Sequence, residues 1–232
     1  MALVTGASRG LGRASAVALA REGVKVTICA RGEEALREAE EEISRYGEVL
    51  SLVADVTQPP VPAQLVTATV ERFGTADILV ANAGGPPPGR ALEVDDRVLV
   101  GALEANLLTS VRLVREAVPH MRRAGWGRIC LITSATVKEP IPTLAASGTA
   151  RAGLWGWAKP AAQDLFGEGI TLNLACPGSH ATERMQELGS GGGGPVGDPA
   201  AFGEVVAFLC SEPARFVSGT AVLVDGARTA GL

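Results

Sequence analysis

The chain has 232 residues, of which 47% are hydrophobic, so it fits one large domain or two small ones with a sizeable core. Its net charge of −4 and the spread of its basic residues along the chain argue against electrostatic binding to nucleic acid. No apolar run reaches the ~18 residues that a membrane span needs, and no signal peptide precedes the first predicted strand. We therefore expect a cytoplasmic protein that binds neither nucleic acid nor a membrane.

Helical patterns alternate with apolar, strand-like segments along the chain. The strand-like segments, in order, are ALVTGAS, KVTICA, EVLSLVADV, ADILVANAG, GRICLITSA, ITLNLACPG and AVLVDG. The helical patterns between them cover residues 9–23, 33–47, 63–74, about 95–123, a stretch through 147–151, and 202–210. The strands are almost continuously apolar, as strands buried on both faces should be.

Seven such strands with helical crossovers predict an α/β fold: one doubly wound, Rossmann-type domain over residues 1–232. We expect its seven-stranded parallel sheet to carry helices on both faces. In such a sheet, ligands bind at the carboxyl ends of the strands, so the informative residues should follow each strand.

The first strand runs into the sequence TGASRGLG at residues 5–12. Gly6, Gly10 and Gly12 fall at a strand-to-helix turn, where glycine lets the backbone approach a pyrophosphate at the helix N-terminus. A tight turn without a ligand is the alternative, and the position between strand one and helix one favours binding.

The end of the second strand discriminates between cofactors. An acidic residue there would bind the ribose 2′-hydroxyl of NAD, whereas an arginine accommodates the 2′-phosphate of NADP. Here Arg31 follows the strand and Arg9 lies in the glycine turn, which favours NADP(H), although either arginine could instead be a solvated surface residue.

The cysteines give no sign of a metal centre. Cys29, Cys130, Cys176 and Cys210 have no CxxC or histidine-rich spacing. We expect buried, reduced thiols and no metal ion.

Further motifs extend this pattern to most of the chain. They are ADV with Asp55, NAG at residues 82–84, EANLL with Asn106, ITSA with Ser134, PGSHAT at residues 177–182 and SGTAVLVDG at residues 218–226. In this order, and with TGASRGLG, they resemble the short-chain dehydrogenase/reductases, and among these the branch around 3-oxoacyl-acyl-carrier-protein reductases. The chain's three asparagines, Asn82, Asn106 and Asn173, all fall where that family's pattern has asparagine.

The resemblance implies a role for each motif. Asp55 would accept a hydrogen bond from the adenine amino group, Ser134 would hydrogen-bond the substrate carbonyl, and Asn106 would hold a water in a proton relay. For Asn106 the alternative is an amide that bonds backbone within a helix. The cofactor-binding residues that the resemblance and the arginines together imply are Gly6, Ser8, Arg9, Gly10, Leu11, Gly12, Arg31, Asp55, Val56, Asn82, Ala83, Gly84, Arg151, Pro177, Gly178 and Thr182.

The chain departs from the family at two reacting positions. In the family a tyrosine follows the catalytic serine by thirteen residues and a lysine follows four later, and here these positions are Ser147 and Arg151. A phenol has a reference pKa of ~10, and an unactivated alcohol is nearer water's ~15.7, so Ser147 is a poor acid. Arg151 keeps the positive charge but cannot relay a proton. The expected catalytic set is Asn106, Ser134, Ser147 and Arg151.

Other proton donors are few. Tyr46, the only tyrosine, should lie away from the cofactor. His180 could lie close to the nicotinamide, although a loop histidine that faces solvent is the simpler expectation. Lys138 is a candidate too, with a surface lysine as its alternative, and a water held by Asn106, Ser134 and Ser147 could serve instead.

The substrate side is less informative. Arg90 and Lys138 on the rims could hold an anionic substrate such as a phosphorylated carrier arm, or merely be solvated. Residues 183–197 take the place of the family's substrate lid, and their GSGGGG run predicts mobility. Pro160 should kink or stop the helix through residues 147–151. Trp155 and Trp157 could be interface anchors or core residues, and the resemblance implies a homodimer or homotetramer.

Two functions follow from these residues. The first is an NADP(H)-dependent oxidoreductase acting on a small-molecule carbonyl or alcohol, in the manner of a 3-oxoacyl-thioester reductase. The alternative is an NADP(H)-binding sensor or silent subunit without significant redox turnover, favoured by the missing tyrosine.

Overall fold

Seven parallel strands form the central sheet of the computed structural model, which describes residues 1–189 and 194–230. Their order across the sheet is β3-β2-β1-β4-β5-β6-β7, and every neighbouring pair is parallel. The strands are β1 (Ala2–Thr5), β2 (Val26–Ala30), β3 (Val49–Val53), β4 (Ile78–Ala81), β5 (Gly127–Ile132), β6 (Ile170–Pro177) and β7 (Ala221–Val224). The predicted Rossmann-type sheet is confirmed.

Eight α-helices occur among the described residues: α1 (Gly10–Arg21), α2 (Glu33–Ile43), α3 (Val61–Phe73), α4 (Asp96–Leu103), α5 (Thr109–Ala124), α6 (Ala145–Phe166), α7 (Glu183–Glu187) and α8 (Pro199–Leu209). None of the helices in residues 1–189 and 194–230 is long and apolar enough to cross a membrane. The long helix predicted from about Asp95 to Arg123 forms over that range, but a π-helical turn over Glu104–Leu108 separates α4 from α5.

Helices cover both faces of the sheet, and alternate strand residues point to the two sides. On one face, Val4 and Ile28 belong to the core formed with α1, α2 and α8. On the other, Leu3 and Cys29 belong to the core formed with α3, α5 and α6. This two-sided burial explains why the strand sequences are almost continuously apolar.

The strand order reverses between β1 and β4, which opens a crevice at their carboxyl ends. Two side chains fix this point. Thr5 Oγ1 donates to the Asn82 carbonyl at 2.8 Å and accepts from the Asn82 amide at 2.9 Å. Asn82 Nδ2 donates to the Gly6 carbonyl at 3.0 Å. The glycine turn and the loop that follows β4 are therefore held together directly beside the crevice. This loop, residues 82–89, begins with the NAG motif and is called the NAG loop.

Pro160 does not stop its helix, so that part of the prediction is wrong. α6 runs from Ala145 to Phe166, and Pro160 lies exposed inside it. The residue four positions earlier, whose carbonyl loses its helical donor, is the exposed Gly156, so water can solvate that carbonyl. On the opposite face, buried Leu154 and Ala158 pack into the core and hold the helix on the sheet.

Two helical glycines should respond in opposite ways to alanine. A Cβ on Gly12 would lie 2.3 Å from the Gly6 carbonyl oxygen, whereas a Cβ on Gly156 meets nothing within 4 Å. We expect Gly12→Ala to lower the free energy of unfolding by roughly 1–3 kcal/mol through overpacking. Gly156→Ala should raise it by about 0.5–1 kcal/mol through helix propensity. Urea unfolding followed by circular dichroism measures both, and equal responses would contradict the close packing of the glycine turn.

Candidate functional site

The glycine turn presents the start of α1 to the crevice. Gly6 and Gly10 have φ values of 58° and 57°, in the left-handed region that favours glycine. Arg9 precedes α1 without a side-chain capping bond, and no acidic residue lies in the first turn. The first N–H groups of α1 are thus available to an anion, and the helix dipole favours one.

Asp55 lies beyond the end of β3 beside the same edge of the sheet. Its Oδ1 accepts from the Thr57 amide at 3.0 Å and from the Thr57 hydroxyl at 2.8 Å. Partial burial alone would raise the pKa of Asp55, but these two bonds and the charge of Arg31 hold it below its ordinary value. Both bonds involve Oδ1, so Oδ2 can accept a further donor such as an adenine amino group.

The two arginines expected at the 2′-phosphate are both exposed. Arg31 follows β2 directly. The Arg9 side chain is 61% exposed, and its Nη2 lies 3.8 Å from Glu187 Oε1 of α7. Arg9 therefore has a long ionic contact with the segment expected to be the lid, and both guanidiniums remain accessible to a ligand.

The end of β6 brings the PGSHAT motif to the glycine turn. A Cβ on Gly178 would lie 2.7 Å from Asp225 Cβ, so glycine is needed where this loop passes the end of β7. Thr182 caps α7 by accepting from the Met185 amide at 3.4 Å. Its methyl group would lie 3.5 Å from a Cβ on Gly10, so the starts of α1 and α7 lie side by side.

Asn106 occupies the π-helical turn between α4 and α5 and is 5% exposed. Its Nδ2 donates to the Gly84 carbonyl at 3.3 Å, and the Thr109 hydroxyl donates to the Glu104 carbonyl at 2.9 Å inside the widened turn. The Asn106 side chain therefore bonds a backbone carbonyl, as the alternative prediction stated. This carbonyl belongs to the NAG loop and not to the helix of Asn106. The wide turn points Asn106 across the crevice, and π-helical turns are frequent at functional sites.

Ser134 follows β5 and caps a short 3₁₀ turn, Ala135–Val137. Its Oγ accepts from the Thr136 amide at 3.2 Å, so its hydroxyl proton is still available to a substrate oxygen. A Cβ on Gly148 would lie 3.9 Å from Thr136 Cβ, which places the start of α6 beside this turn. Ser134 and Ser147 therefore flank the same cleft.

Ser147 and Arg151 form a buried, hydrogen-bonded pair one helical turn apart. They are 7% and 8% exposed, and Arg151 Nη1 donates to Ser147 Oγ. Arg151 Nε hydrogen-bonds to none of the described residues. Burial, aided by repulsion from Arg184, lowers the pKa of Arg151 to about 10, and the Cys176 sulfur opposes this shift. The buried Arg151 guanidinium therefore has an N–H donor, Nε, that none of the described residues uses.

Arg184 of α7 reaches the NAG loop, which sequence reasoning missed. Its Nη2 donates to the Pro86 carbonyl at 2.6 Å, and its Nη1 donates to Glu187 Oε2 at 3.2 Å. A Cβ on Gly85 would lie 3.0 Å from the same guanidinium. The first turn after Thr182 therefore closes over the crevice. Residues 190–193, which carry most of the GSGGGG run and its predicted mobility, lie outside the described residues.

The other predicted donors include His180 and Tyr46. His180 is 5% exposed, so the expectation that it faces solvent is wrong. Its backbone pairs with Gly197 in a single β-bridge. Its ring lies edge-on to the Phe202 ring, with the two ring centroids 5.3 Å apart. Tyr46 follows α2 at the opposite edge of the sheet and is 42% exposed, as expected for a residue away from the site.

The remaining expectations concern the rim and the core. Lys138 and Arg90 are exposed, and Lys138 Nζ lies 5.8 Å from the Trp155 ring centre. Trp155 and Trp157 are half-buried against the core beneath α6. The four cysteines are buried and free, as predicted.

These features fit a dinucleotide along the crevice. The uncapped start of α1 suits a pyrophosphate, and Asp55 Oδ2 suits the adenine. The unpaired Nε of the buried Arg151 calls for an acceptor, such as a ribose hydroxyl, at the far end.

Comparison with known proteins agrees with this geometry. The family model of the short chain dehydrogenases matches residues 1–192. The 3-oxoacyl-[acyl-carrier-protein] reductase FabG of Vibrio cholerae is 31% identical over 235 residues, which cover 97% of this chain and 96% of that protein. The 3-oxoacyl-[acyl-carrier-protein] reductase of Synechocystis is 33% identical over 239 residues, with 97% and 95% covered.

The solved structures agree as well. L-sorbose reductase from Gluconobacter frateurii, crystallised with NADPH and L-sorbose, superposes with a TM-score of 0.92 at 29% identity. The superposition covers 100% of this chain and 97% of that one. With the family model matched over most of its length, this chain belongs to the short-chain dehydrogenase family.

Proposed function

We propose that this protein is an NADP(H)-dependent oxidoreductase that interconverts a carbonyl and an alcohol, with Ser147 and Arg151 at the family's tyrosine and lysine positions. The observation that carries the proposal is the buried Arg151. It is bonded to Ser147, and its buried Nε has no hydrogen-bond partner among the described residues. A buried cation with unused donors needs an acceptor, and a ligand in the cleft supplies one. The reductase names of the relatives and the NADPH of the solved neighbour support the same reading.

The cofactor would lie along the carboxyl edge of the sheet. The pyrophosphate is assigned to the glycine turn, from Gly6 to Gly12, and to Thr182. The 2′-phosphate is assigned to Arg9 and Arg31, the adenine to Asp55 and Val56, and the nicotinamide ribose to Arg151. The rest of the predicted cradle is Ser8, Leu11, Asn82, Ala83, Gly84, Pro177 and Gly178. When bound there, NADPH would supply a hydride to the substrate carbon.

The chain's own residues would then manage the oxygen and its proton. The Ser134 hydroxyl donates a hydrogen bond to the carbonyl oxygen and polarises it. Arg151 holds the Ser147 oxygen as acceptor, so the Ser147 proton can be directed at the same substrate oxygen. Arg151 stabilises the negative charge that develops there, and water supplies the proton that completes the alcohol.

A second candidate is a nucleotide-binding sensor or silent subunit. The observation that favours it is Ser147 itself, because a serine ends several bonds short of where a phenol would reach. Loss of a general acid typically lowers a rate by ~10²–10⁴. The homodimer or homotetramer, the cytoplasmic location and the lid role of residues 183–197 stay predictions.

The two functions separate in one set of assays. We expect Ser134→Ala to lower kcat by roughly 10²–10³, because it removes a donor to the developing oxyanion. NADPH consumption is measured against 3-oxoacyl thioesters, diketones and quinones. Ser44→Ala, an exposed serine at the end of α2, is the matched control. If NADPH binds tightly but only the Ser147→Tyr/Arg151→Lys variant turns over, the protein is the sensor or silent subunit.

The cofactor preference should depend on Arg9 and Arg31. We expect Arg9→Gln and Arg31→Gln each to weaken NADPH binding by roughly 10-fold or more, because each removes charge-assisted bonds to a phosphate dianion. NADH binding should change little. Fluorescence titration at fixed ionic strength measures both, with exposed Arg45→Gln as control. An equal loss for NADH would contradict the assignment.

The pH profile should identify the proton source. If water is the donor, kcat for reduction stays level from about pH 6 to 9, because no side chain assigned to the reaction titrates there. The rate falls only near pH 10, where Arg151, whose pKa is lowered to about 10, loses its charge. A fall within that range would contradict water as the proton source. Steady-state rates in constant-ionic-strength buffers measure the profile.

A further inference from the structure

Two guanidiniums from different elements approach the same cleft. Arg151 lies in α6 and is 8% exposed. Its guanidinium donates a hydrogen bond to the neutral hydroxyl of Ser147. Arg184 lies in α7 and shares its charge with the half-exposed Glu187, at 3.2 Å. Two cations with one acidic partner between them leave this part of the cleft positive.

Contacts through the NAG loop place Arg184 at the reaction centre. Its guanidinium lies over Gly85 and donates to the Pro86 carbonyl at 2.6 Å. Earlier in the same loop, the Gly84 carbonyl accepts a hydrogen bond from Asn106 Nδ2. The Arg184 charge is also near enough to help lower the pKa of Arg151. Like charges that repel inside a cleft become favourable once an anion lies between them.

We propose that Arg184 and Arg151 together bind a carboxylate of the substrate, so that the protein acts on a small oxo acid rather than a neutral ketone or thioester. This inference rests on the proposed function. Guanidinium groups match carboxylates with paired N–H donors, and Arg151 has N–H groups beyond the one that bonds Ser147 and the Nε assigned to the ribose.

The position of Arg151 limits where the carboxylate can lie on the substrate. Arg151 bonds Ser147, which faces the reacting oxygen, so an anion it touches lies within a few bonds of the reacting carbonyl. The phosphate at the far end of a carrier arm would lie well outside this distance. The rim residues Arg90 and Lys138 are exposed, and Lys138 already lies against Trp155. Arg184 replaces them as the anion-binding residue.

The test compares ligands that differ in charge alone. Protein loaded with NADP⁺ is titrated by calorimetry with acetoacetate and with methyl acetoacetate, and again with 3-oxohexanoate and its methyl ester. We expect each acid to bind at least ~10-fold more tightly than its ester, as charge-assisted bonds require. Arg184→Gln should reduce this preference to the part that Arg151 contributes, and Arg184→Lys, which keeps the charge, should retain more of it.

The esters separate charge recognition from a structural role of Arg184. If Arg184→Gln merely loosens α7 from the Pro86 carbonyl, acid and ester weaken alike and the inference is overturned. It is also overturned if neither acid binds, if the preference is undiminished in Arg184→Gln, or if Arg90→Gln abolishes it instead. A loss of NADP⁺ affinity in Arg184→Gln would assign Arg184 to the cofactor phosphates and overturn it too.

Turnover is read separately in the same samples with NADPH. Acids that bind preferentially through Arg184 without being reduced would support the carboxylate site and contradict the oxidoreductase function. Reduction of esters and diketones as fast as acids would support the function and contradict the carboxylate site. The failure of one proposal can therefore be told from the failure of the other.

Discussion

Three hydrogen bonds among Thr5, Gly6 and Asn82 fasten the carboxyl ends of β1 and β4 at the point where the strand order reverses. The sheet alone would bring these strand ends close, but it would not fix the loops that leave them. Because the backbone amide, the carbonyl and the side chain of Asn82 all form these bonds, the glycine turn and the NAG loop are fixed relative to each other. The positions of the other site residues depend on this arrangement.

The NAG loop also contacts the elements that carry Asn106, Arg184 and Ser147. Its Gly84 carbonyl receives Asn106 from the π-helical turn, and its Pro86 carbonyl receives Arg184 from α7. Further along, Gly89 donates to the Thr143 carbonyl and accepts from the Ala145 amide, which fixes the start of α6. The start of the helix that carries Ser147 and Arg151 is therefore positioned through backbone groups, and such contacts tolerate side-chain changes.

Sequence alone predicted the sheet well, because strands buried on both faces have a continuous apolar pattern that survives any detail of packing. It could not show contacts between distant residues: Arg184 and Pro86 are 98 positions apart, and nothing local pairs them. The burial of His180 depends in the same way on its bridge to Gly197. The π-helical turn at Asn106 adds one residue to a helical turn, a shift too small for hydrophobic periodicity to reveal.

The four buried cysteines have a practical consequence. Burial raises the pKa of Cys29 to about 12, so this thiol in the folded chain holds almost no thiolate at neutral pH. All four are free and lie in the core between sheet and helices. A thiol-specific reagent can therefore reach them only when the core opens, and the labelling rate reports how often that happens. The labelling rate of the native cysteines therefore measures opening of the core without an engineered probe.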